Sequence, residues 1–471
     1  MELPEEIVSV KTKLNFSIAG LANGLLNGLV FGNLTFFYQI KLGVNGGLLS
    51  IAWLLFAIWN TLNDPIAAYF IDNTRTKIGR RIPYLRYGSI FYGLAFIFCW
   101  FPISPLNNQI GLFWNFLAAL FLLDTMFTIV GTCFFSLPNE IAVTAKQRAS
   151  LGAYTTLFGF INLILGIILP IVLLTGQEGT HPLFIPIILI IGFGSSFILF
   201  ITSYGIKENL FAQLQERDRF IESFKLTLKN KPFWILMVPA FFLQLISQIA
   251  LTGLLYYIDY INKDPIFVGI AFFIGMIIGA IINLKKIGKW GPKRTGIINL
   301  LTLAFALIGL FFLGFNPYVS TIPFLFIGFG YIGALITTPV LMGDVIDNDE
   351  IITGKRREAI YGGVNAVVTK PAVSIANSSF LAIIGAFGFI VPLFINGVDV
   401  KQPQSSEALI GILFAFCIFP SIFLIISALV LLKYPLDGLE WLQKKNYIME
   451  LHEKKEKEYL KSLMNSDKPK N

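Results

Sequence analysis

Long apolar stretches that carry almost no charge recur from Leu14 to Leu432, and they limit the possible folds of this chain more than any other feature. A helix needs about 20 mostly apolar residues to cross the hydrocarbon core of a bilayer. Spanning strands would alternate polar and apolar residues with a period of two, which these stretches do not do. Only 14% of the residues are charged, whereas a soluble chain of this length needs a more polar surface. We therefore expect an all-α polytopic membrane protein.

Twelve spans are predicted, and they divide into two pseudo-symmetric bundles of six helices. We assign residues 1–206 to the first bundle, 207–232 to a central loop, 233–432 to the second bundle and 433–471 to a tail. Within the tail, the stretch from Leu436 to about Met464 is predicted to form an amphipathic helix. The predicted spans are Leu14–Tyr38, Gly46–Phe70, Tyr84–Phe101, Ile110–Pro138, Ser150–Thr175, Pro182–Ile206, Phe233–Tyr257, Pro265–Leu284, Thr295–Leu313, Tyr318–Pro339, Glu358–Phe394 and Ala408–Leu432.

Basic residues are distributed very unequally between the two sides of these spans. With the N-terminus in the cytosol, 32 of the 36 Lys and Arg residues fall in cytosolic segments, and only Lys41, Lys263 and Lys401 fall in outer loops. Such a bias predicts a multi-pass protein of the cell membrane with both termini and the central loop in the cytosol. Topology thus explains the net charge of +8, so we expect the lipid bilayer, and no nucleic acid, as a partner.

Few residues have the chemistry of an active site or a metal site. The three cysteines lie inside apolar stretches without ligand spacing, and the two histidines, His181 and His452, fall in a predicted loop and in the tail. No nucleophile–base pair or resident metal site is indicated. We therefore expect neither an enzyme nor a cofactor.

An internal repeat relates the two predicted halves. Lys77–Arg81 and Lys286–Trp290 read as short basic glycine loops between the second and third helices of each half. The fourth and tenth loops each follow a helix predicted to end at a proline, Pro138 or Pro339, and each continues with acids and then arginine. A break in the eleventh span is predicted near Gly385–Gly388. Two such halves suit alternating access, in which they rock about a site near the midplane.

Away from the span ends, three charged side chains fall within the spans, where each costs roughly 2.5–3.5 kcal/mol at the helix centre. Asp64 lies four residues after Asn60 on the second span, and Asp124 lies four residues before Thr128 on the fourth. Lys370 falls at a similar depth on the eleventh, so the oxygen-bearing pairs and the lysine can meet. They could bind a hard cation such as Na⁺, or a carboxylate could carry a proton, with Lys370 neutralising a carboxylate in between. Alternatively, these charges only pair to hold helices together.

Two further sets of residues are functional candidates. One set could line a hydrated cavity, or could simply form interhelical hydrogen bonds: Asn23, Asn27, Tyr154, Thr156, Gln244, Gln248 and Asn365. The other could form a gate of ion pairs at the cytosolic face, or could belong to ordinary solvated loops: Arg75, Glu140, Arg148, Asp344, Asp347, Glu350, Arg356 and Arg357.

Several motifs resemble those of the glycoside–pentoside–hexuronide:cation symporters, a family of the major facilitator superfamily. Asn63-Asp64-Pro65-Ile66, followed by 73–79, carries the first part of the resemblance. Residues 343–350, followed by 353–358, carry the second part, and Val367–Lys370 and Tyr434–Leu436 match two further positions. The resemblance covers nearly the whole chain.

This resemblance implies a twelve-helix major-facilitator fold that carries sugars together with Na⁺, Li⁺ or H⁺. It also implies a cation site containing Asn63, Asp64 and Thr128. A further acid of melibiose permease-like members is replaced here by Asn60, and Asp124 is a candidate to supply the missing carboxylate.

The sugar site of the family matches less well. Positions that hold two sugar-binding acids and an arginine in melibiose permease-like members align with Gly24, Gly131 and Thr156 here. A melibiose-like galactoside is therefore not expected.

The function predicted from the sequence is symport of a sugar, a glycoside or a related small organic solute, coupled to Na⁺ or H⁺ and carried out by a monomer. One alternative is transport of a lysolipid or another amphiphile, because carriers of such molecules also resemble this family. Another alternative is a membrane sensor or scaffold without transport, although the sequence offers no attached signalling domain.

Overall fold

A computed structural model of the 471-residue chain describes residues 8–76, 78–137, 145–176, 178–205, 227–262, 264–354, 357–395, 398–448 and 450. Within these residues, twelve helices are long and apolar enough to cross a membrane. The predicted all-α polytopic architecture of twelve spanning helices is therefore confirmed.

The twelve helices are labelled α1 to α12 in chain order. They are α1, Val10–Phe36, continued by a π-helical turn over Phe37–Lys41; α2, Gly46–Asn73; α3, Ile82–Trp100; α4, Gln109–Ser136; α5, Ala145–Leu174; α6, Phe184–Gly205; α7, Lys231–Tyr260; α8, Pro265–Trp290; α9, Pro292–Leu313; α10, Thr321–Thr353; α11, in two segments, Glu358–Thr369 and Pro371–Ala386; and α12, in three, Ser406–Leu413, a π-helical stretch Phe414–Ile418, and Phe419–Leu431.

Helix packing is extensive among α1 to α6 and again among α7 to α12. In the first set, α1 packs against α5 and α6, and α3 packs against α4 and α6. In the second set, α10 lies between α8 and α9, and α12 packs against α7 and α9. The two sets meet where α2 packs along the second segment of α11 and where α1 packs against α7. A site at these two lines of contact would lie near α1, α2, α7 and α11.

Two glycines allow α8 and α10 to approach at backbone distance. A Cβ added at Gly275 of α8 would lie 1.9 Å from the carbonyl oxygen of Leu325, and one added at Gly328 of α10 would lie 2.1 Å from that of Phe272. Neither position can hold a larger side chain without moving a helix. Small residues commonly serve this purpose between membrane helices, where close packing is a main source of association.

Two helices extend further than the sequence predicts, which corrects part of the proposed loop repeat. The eighth helix continues to Trp290, so the predicted basic loop Lys286–Trp290 is helical, and the chain turns only at Gly291, which has a φ of +78°. Lysine is a good helix former, and the single Gly288 costs only about 1 kcal/mol, so the helix continues to the Gly-Pro pair. Its counterpart before α3 does lie between two helices, so the two segments are not equivalent.

The tenth helix passes through Pro339, where its end was predicted, and continues to Thr353. Proline removes one backbone donor from the helix. Nearby, the hydroxyl of Thr337 donates to the carbonyl of Gly333 at 2.9 Å, and that of Thr338 donates to Ala334 at 2.9 Å. Such bonds to carbonyls near the proline are one reason why membrane helices tolerate it. The acids predicted to lie in a loop after Pro339 therefore lie on the last turns of α10.

The eleventh helix also differs from its prediction. Its interruption at Lys370-Pro371, where Pro371 begins a new helical segment, was not predicted, whereas the break predicted near Gly385–Gly388 is present. The helix ends at Ala386, and a two-stranded antiparallel hairpin follows, with β1 over Leu393–Ile395 and β2 over Val398–Val400. The last two residues of the predicted eleventh span, Leu393 and Phe394, therefore lie in β1 rather than in the helix.

After α12, a helix over 438–448, here α13, lies in the predicted tail. Tyr434 just before it donates its hydroxyl to the carbonyl of Leu341 at 2.8 Å, which ties the start of the tail to α10. The rest of the predicted tail helix, to about Met464, and most of the predicted central loop lie outside the described residues.

Candidate functional site

Side chains from α2, α4 and α11 form a continuous polar chain, here called the central cluster: Asn63, Asp64, Asp124, Thr128 and Lys370. Asn63 Nδ2 lies 3.0 Å from both Asp124 Oδ2 and Thr128 Oγ1 and can donate to either. The Thr128 hydroxyl donates to Asp64 Oδ1 at 3.0 Å. Lys370 Nζ pairs with the same carboxylate oxygen and lies 3.4 Å from Thr128 Oγ1. Two carboxylates, one hydroxyl and one ammonium thus share a single network.

Burial divides the central cluster into a closed part and an accessible part. Asp124 and Thr128 are almost fully buried, at 1% and 2% exposure. The side chains of Asp64 and Lys370 are 25% and 20% exposed, so their ion pair borders open space. An incoming cation or proton can therefore reach Asp64 more readily than Asp124.

Two prolines lie directly beside the paired charges. Pro65 directly follows Asp64 within α2, and Pro371 directly follows Lys370 between the segments of α11. Each removes a backbone donor from its helix. Asn60, predicted as a cation ligand, instead donates from Nδ2 to the backbone carbonyl of Lys370 at 3.3 Å. It therefore fixes the position of the lysine across the contact between α2 and α11.

Asn23 and Asn27, one turn apart on α1, each have a buried carbonyl oxygen without a hydrogen-bond partner in the described residues. Carbonyl oxygens that are buried without a donor are rare, because each has lost its hydrogen bond to water. Both can accept a hydrogen bond from a hydroxyl group or from water. They are thus the predicted cavity residues with the clearest capacity for a ligand.

The other predicted cavity residues do not form one group. Gln248 is buried and donates to the backbone carbonyl of Phe31, so it joins α7 to α1. Gln244 and Thr156 are exposed, and Asn365 is half-buried on α11. Tyr154 is half-buried, and its ring centroid lies 6.0 Å from Lys13 Nζ.

At the predicted cytosolic face, two ion pairs each join a predicted gate residue to a residue that was not predicted. Asp344 is 1% exposed and pairs with Lys445 of α13. Arg357 pairs with Asp349, with 2.8 Å between Nε and Oδ2. Neither Asp349 nor Lys445 was predicted as part of a gate, and for Lys445 the reason is that the sequence does not show that α13 reaches α10.

The remaining predicted gate residues are less informative. Glu350 is buried on α10 and Asp347 is half-buried there, while Arg75 is exposed and donates to the neighbouring carbonyl of Thr74 at 3.1 Å. Glu140 and Arg356 lie outside the described residues. Arg148 lies on α5, but its side chain is outside the description.

At the opposite face, the β1–β2 hairpin joins the two sets of helices through an ion pair that sequence reasoning missed. Lys41 Nζ, at the end of α1, lies 3.1 Å from Asp399 Oδ2 on β2, and both side chains are 2% exposed. Lys41 also donates to the carbonyl of Gly179 at 3.0 Å, while the Gly179 amide donates to Asp399 Oδ1 at 2.7 Å. Burial raises the pKa of the Asp399 carboxyl, and Lys41 opposes that rise.

A second ion pair lies beside the first. Lys401 Nζ lies 2.6 Å from Asp259 Oδ1 near the end of α7, and the Gly176 amide donates to the same oxygen at 2.8 Å. The hairpin with these two ion pairs is here called the outer latch. The sequence indicates the outer latch only through the small number of lysines in outer loops. Two of them, Lys41 and Lys401, form these ion pairs.

Below the outer latch, hydrogen bonds continue between the two sets of helices. Asn377 Oδ1 on α11 accepts from the hydroxyls of Thr35 on α1, at 3.1 Å, and Thr252 on α7, at 2.8 Å. Ser50 on α2 and Ser378 on α11 lie 2.7 Å apart at their hydroxyl oxygens. These contacts hold the two sets together between the outer latch and the central cluster.

Comparison with known proteins gives one family. The model of a family described as MFS/sugar transport protein matches residues 15–438. The chain is 22% identical to the putative glycoside/cation symporter YagG of Escherichia coli K12, over 88% of this chain and 89% of that protein. It is 23% identical to the isoprimeverose transporter of Lactiplantibacillus pentosus, over 93% of this chain and 91% of that protein.

Solved structures agree at the level of the fold. A crystal structure of a D-xylose–proton symporter matches with a TM-score of 0.65 and 12% identity, over 90% of this chain and 97% of that one. A crystal structure of the nucleoside transporter NupG matches with a TM-score of 0.62 and 13% identity, over 90% of this chain and 100% of that one. Both are transporters, and at this identity they establish the shared architecture.

Proposed function

This chain belongs to the glycoside–pentoside–hexuronide:cation symporter family of the major facilitator superfamily, and on that premise we propose that it couples the uptake of a sugar or glycoside to Na⁺ or H⁺. It is a multi-pass membrane transporter rather than an enzyme. Both termini face the cytosol in this proposal, in agreement with the distribution of basic residues.

The observation that carries the proposal is the ion pair between Asp64 and Lys370 within the central cluster. An ionisable group inside a membrane bundle is expensive to insert and commonly belongs to an ion or substrate pathway. Lys370 occupies the position on Asp64 that a cation would take. A cation that binds Asp64 must displace the ammonium, and a proton on Asp64 would release it. Either event frees a lysine at the contact between the two sets of helices and so favours a different arrangement of them.

Asp124 is proposed as the second carboxylate of the cation site. Its Oδ2 lies within the same network as Asp64, because Asn63 and Thr128 connect the two acids. Carboxylate, amide and hydroxyl oxygens are hard ligands that suit Na⁺. In this proposal, the acid that the family resemblance implies at the position of Asn60 on α2 is supplied from α4 by Asp124, and Asn60 holds the backbone of Lys370.

The unpaired oxygens of Asn23 and Asn27 are proposed to accept hydrogen bonds from substrate hydroxyl groups. A neutral polyol needs several such acceptors, and two buried acceptors one helical turn apart supply part of that pattern. Neither residue contributes charge, which is consistent with a neutral sugar or glycoside.

Transport of an amphiphile is the second candidate, supported by an almost wholly apolar cavity between α5, α7, α8 and α10. Ile167, Leu254, Phe272 and Phe324 are among its lining residues, and Tyr331 and Ser247 supply its few polar groups. Such a lining would suit an alkyl chain better than a sugar.

Uptake into proteoliposomes tests the proposal and separates the two candidates. Labelled pentosides and hexosides are offered with an imposed gradient of Na⁺ or of H⁺, and lysolipid is added as a competitor. We expect gradient-driven uptake of at least one glycoside, which Asp64→Asn abolishes. The matched control is Asp264→Asn, because Asp264 makes no side-chain hydrogen bond to the start of α8. Uptake that is equal in wild type and Asp64→Asn rejects the coupling role, and competition by lysolipid but not by sugars favours the second candidate.

A further inference from the structure

Positive charge is concentrated where α8 ends and α9 begins, at the predicted cytosolic face. Five basic residues occur within ten positions: Lys285, Lys286, Lys289, Lys293 and Arg294. No Asp or Glu occurs anywhere from Pro265 to Gly343, so neither helix carries a neutralising charge of its own. The group of five basic residues, together with Trp290 between them, is here called the basic corner.

Most of the charge in the basic corner has no acidic partner. Lys285, Lys289 and Arg294 are exposed and form no ion pair among the residues that the structure describes. One acid, Asp437 after α12, does approach the basic corner: its Oδ2 lies 3.9 Å from Lys293 Nζ. Its side chain is 42% exposed, so the contact is weak.

An aromatic ring holds two of the cations side by side. Lys286 Nζ lies 3.8 Å from the centroid of the Trp290 ring, and Arg294 Cζ lies 5.4 Å from it. The ring restricts both long side chains and so lowers the entropy lost when they bind an anion. Tryptophan is also typical of the boundary between lipid and water.

The basic corner lies at the edge of the lipid-facing surface. Leu284 and Ile281, on the adjacent turn of α8, are 65% and 54% exposed. Exposed apolar side chains of a spanning helix contact acyl chains, so the cations directly beyond them lie at the depth of the phospholipid head groups.

We propose that the basic corner binds the head group of an anionic phospholipid. The phosphodiester would lie among Lys285, Lys289 and Arg294, and its acyl chains would lie along the exposed apolar face of α8. The charge excess selects anionic over zwitterionic lipid, and the apolar face selects a lipid over a free phosphate.

Asp437 competes with the lipid in this arrangement. It contributes negative charge to Lys293, the same group that an anionic head group would contact. Because α13 is also tied to α10 through Lys445 and Asp344, lipid binding and the position of the tail are connected. Removal of the Asp437 charge should therefore tighten lipid binding.

Binding of phosphatidylglycerol and phosphatidylcholine to the purified protein in detergent tests the proposal, by native mass spectrometry and by the lipid-dependent shift in melting temperature. We expect wild type to prefer phosphatidylglycerol by about tenfold or more, and the triple variant Lys285→Gln/Lys289→Gln/Arg294→Gln to lose that preference. The matched control removes three dispersed, exposed lysines of the same predicted face, as Lys11→Gln/Lys229→Gln/Lys433→Gln, and should keep it. Asp437→Asn should tighten binding by about two- to fourfold.

Three results would overturn the proposal. The first is an unchanged preference in the triple variant, and the second is an equal loss in the control. The third is an equal shift in melting temperature with glycerol 1-phosphate alone, which would indicate a site for soluble anions. An unchanged affinity in Asp437→Asn would reject the competition by the tail.

Discussion

At the scale of single residues, the hydroxyl of Thr128 has the most connected position in the central cluster. Its oxygen lies within hydrogen-bonding distance of Asn63, Asp64 and Lys370. A hydroxyl can both donate and accept, so it can change its partner when the charge on Asp64 changes. The arrangement therefore links an event at the accessible acid to the buried one.

The proposed role of Asp124 predicts a loss of cation affinity without a loss of folding. Asp124→Asn keeps the volume of the side chain and an acceptor for Asn63, but it removes one charged ligand. We expect the cation concentration for half-maximal uptake to rise about 10- to 100-fold, because hydrogen bonds and ligation to charged groups are worth about 1.5–3 kcal/mol. Uptake measured against Na⁺ concentration and pH checks this prediction, and an unchanged dependence on both would contradict it.

Lys370 and Asp64 should show strong coupling in their effect on stability. Removal of one partner leaves a charge within the bundle without its counter-ion, whereas removal of both does not. We expect Lys370→Met and Asp64→Asn each to lower the free energy of unfolding. The double variant should lose about 1–2 kcal/mol less than the sum of the two single losses, a moderate value because the ion pair is partly exposed. Thermal unfolding of the four proteins gives this coupling energy, and simple additivity would show that the ion pair contributes nothing.

Sequence reasoning could predict the membership of the central cluster but not its contacts. Asp64, Asp124 and Lys370 are recognisable because charge is rare in the spans and because helix geometry gives their depth. The bond from Asn60 to the backbone carbonyl of Lys370 lies beside the break at Pro371, which the sequence analysis did not predict. The pair between Lys41 and Asp399 joins residues 358 positions apart, and no local pattern indicates such a contact.

At the scale of helices, the contact of α8 with α10 predicts opposite effects of the same substitution at two glycines. Alanine in place of glycine favours a helix by about 1 kcal/mol when its methyl group has space. Gly269 on α8 has no atom within 4 Å of an added Cβ, whereas Gly328 on α10 has the carbonyl of Phe272 at 2.1 Å. We expect Gly269→Ala to keep or raise the melting temperature and Gly328→Ala to lower the stability by about 1–3 kcal/mol. Equal melting temperatures would contradict the close approach.

The outer latch predicts a shift in conformation when its buried ion pair is broken. Asp399→Asn leaves Lys41 without a counter-ion. The unpaired charge lowers the stability of the arrangement that is closed at the outer face more than that of one in which the lysine is hydrated. A cysteine in place of Ser374, a fully buried residue of α11, provides the probe. The native cysteines are buried and give little background.

We expect a membrane-impermeant maleimide, added to intact cells, to label this cysteine several times faster in the Asp399→Asn variant. Glu407→Gln, an exposed change at the start of α12, should leave the rate unchanged. Identical labelling rates with and without Asp399 would show that the outer latch does not hold the outer face closed.

The sequence predicts which stretches form spanning helices, but it does not predict where several of these helices end. Apolar length identifies a span because the bilayer requires it. The ends of α8 and α10 depend instead on what a proline or a run of lysines does in a particular packing environment. Pro339 is accommodated within its helix near threonine-to-carbonyl bonds, whereas Pro371 begins a new segment, and composition alone does not distinguish the two.

At the scale of the whole molecule, the distribution of charge predicts the orientation in the membrane. With 32 basic residues assigned to one face and three to the other, the bias is large enough to fix the insertion of the whole bundle. A green fluorescent protein fused after Asn471 should therefore fluoresce, and alkaline phosphatase at the same position should be inactive. The reverse pattern would contradict the orientation and would place the basic corner in the other leaflet.

The β1–β2 hairpin has only three residues in each strand, and an isolated hairpin of this size has little stability in water. Its order therefore depends on Lys41 and the Gly179 amide, and we expect these contacts to be lost when the outer face opens. Its amide protons should then exchange with deuterated solvent at a rate set by the fraction of time that this face spends open. The exchange rate of the hairpin amides would therefore report how often the outer face opens. This rate can be measured in the unlabelled protein before its substrate is known.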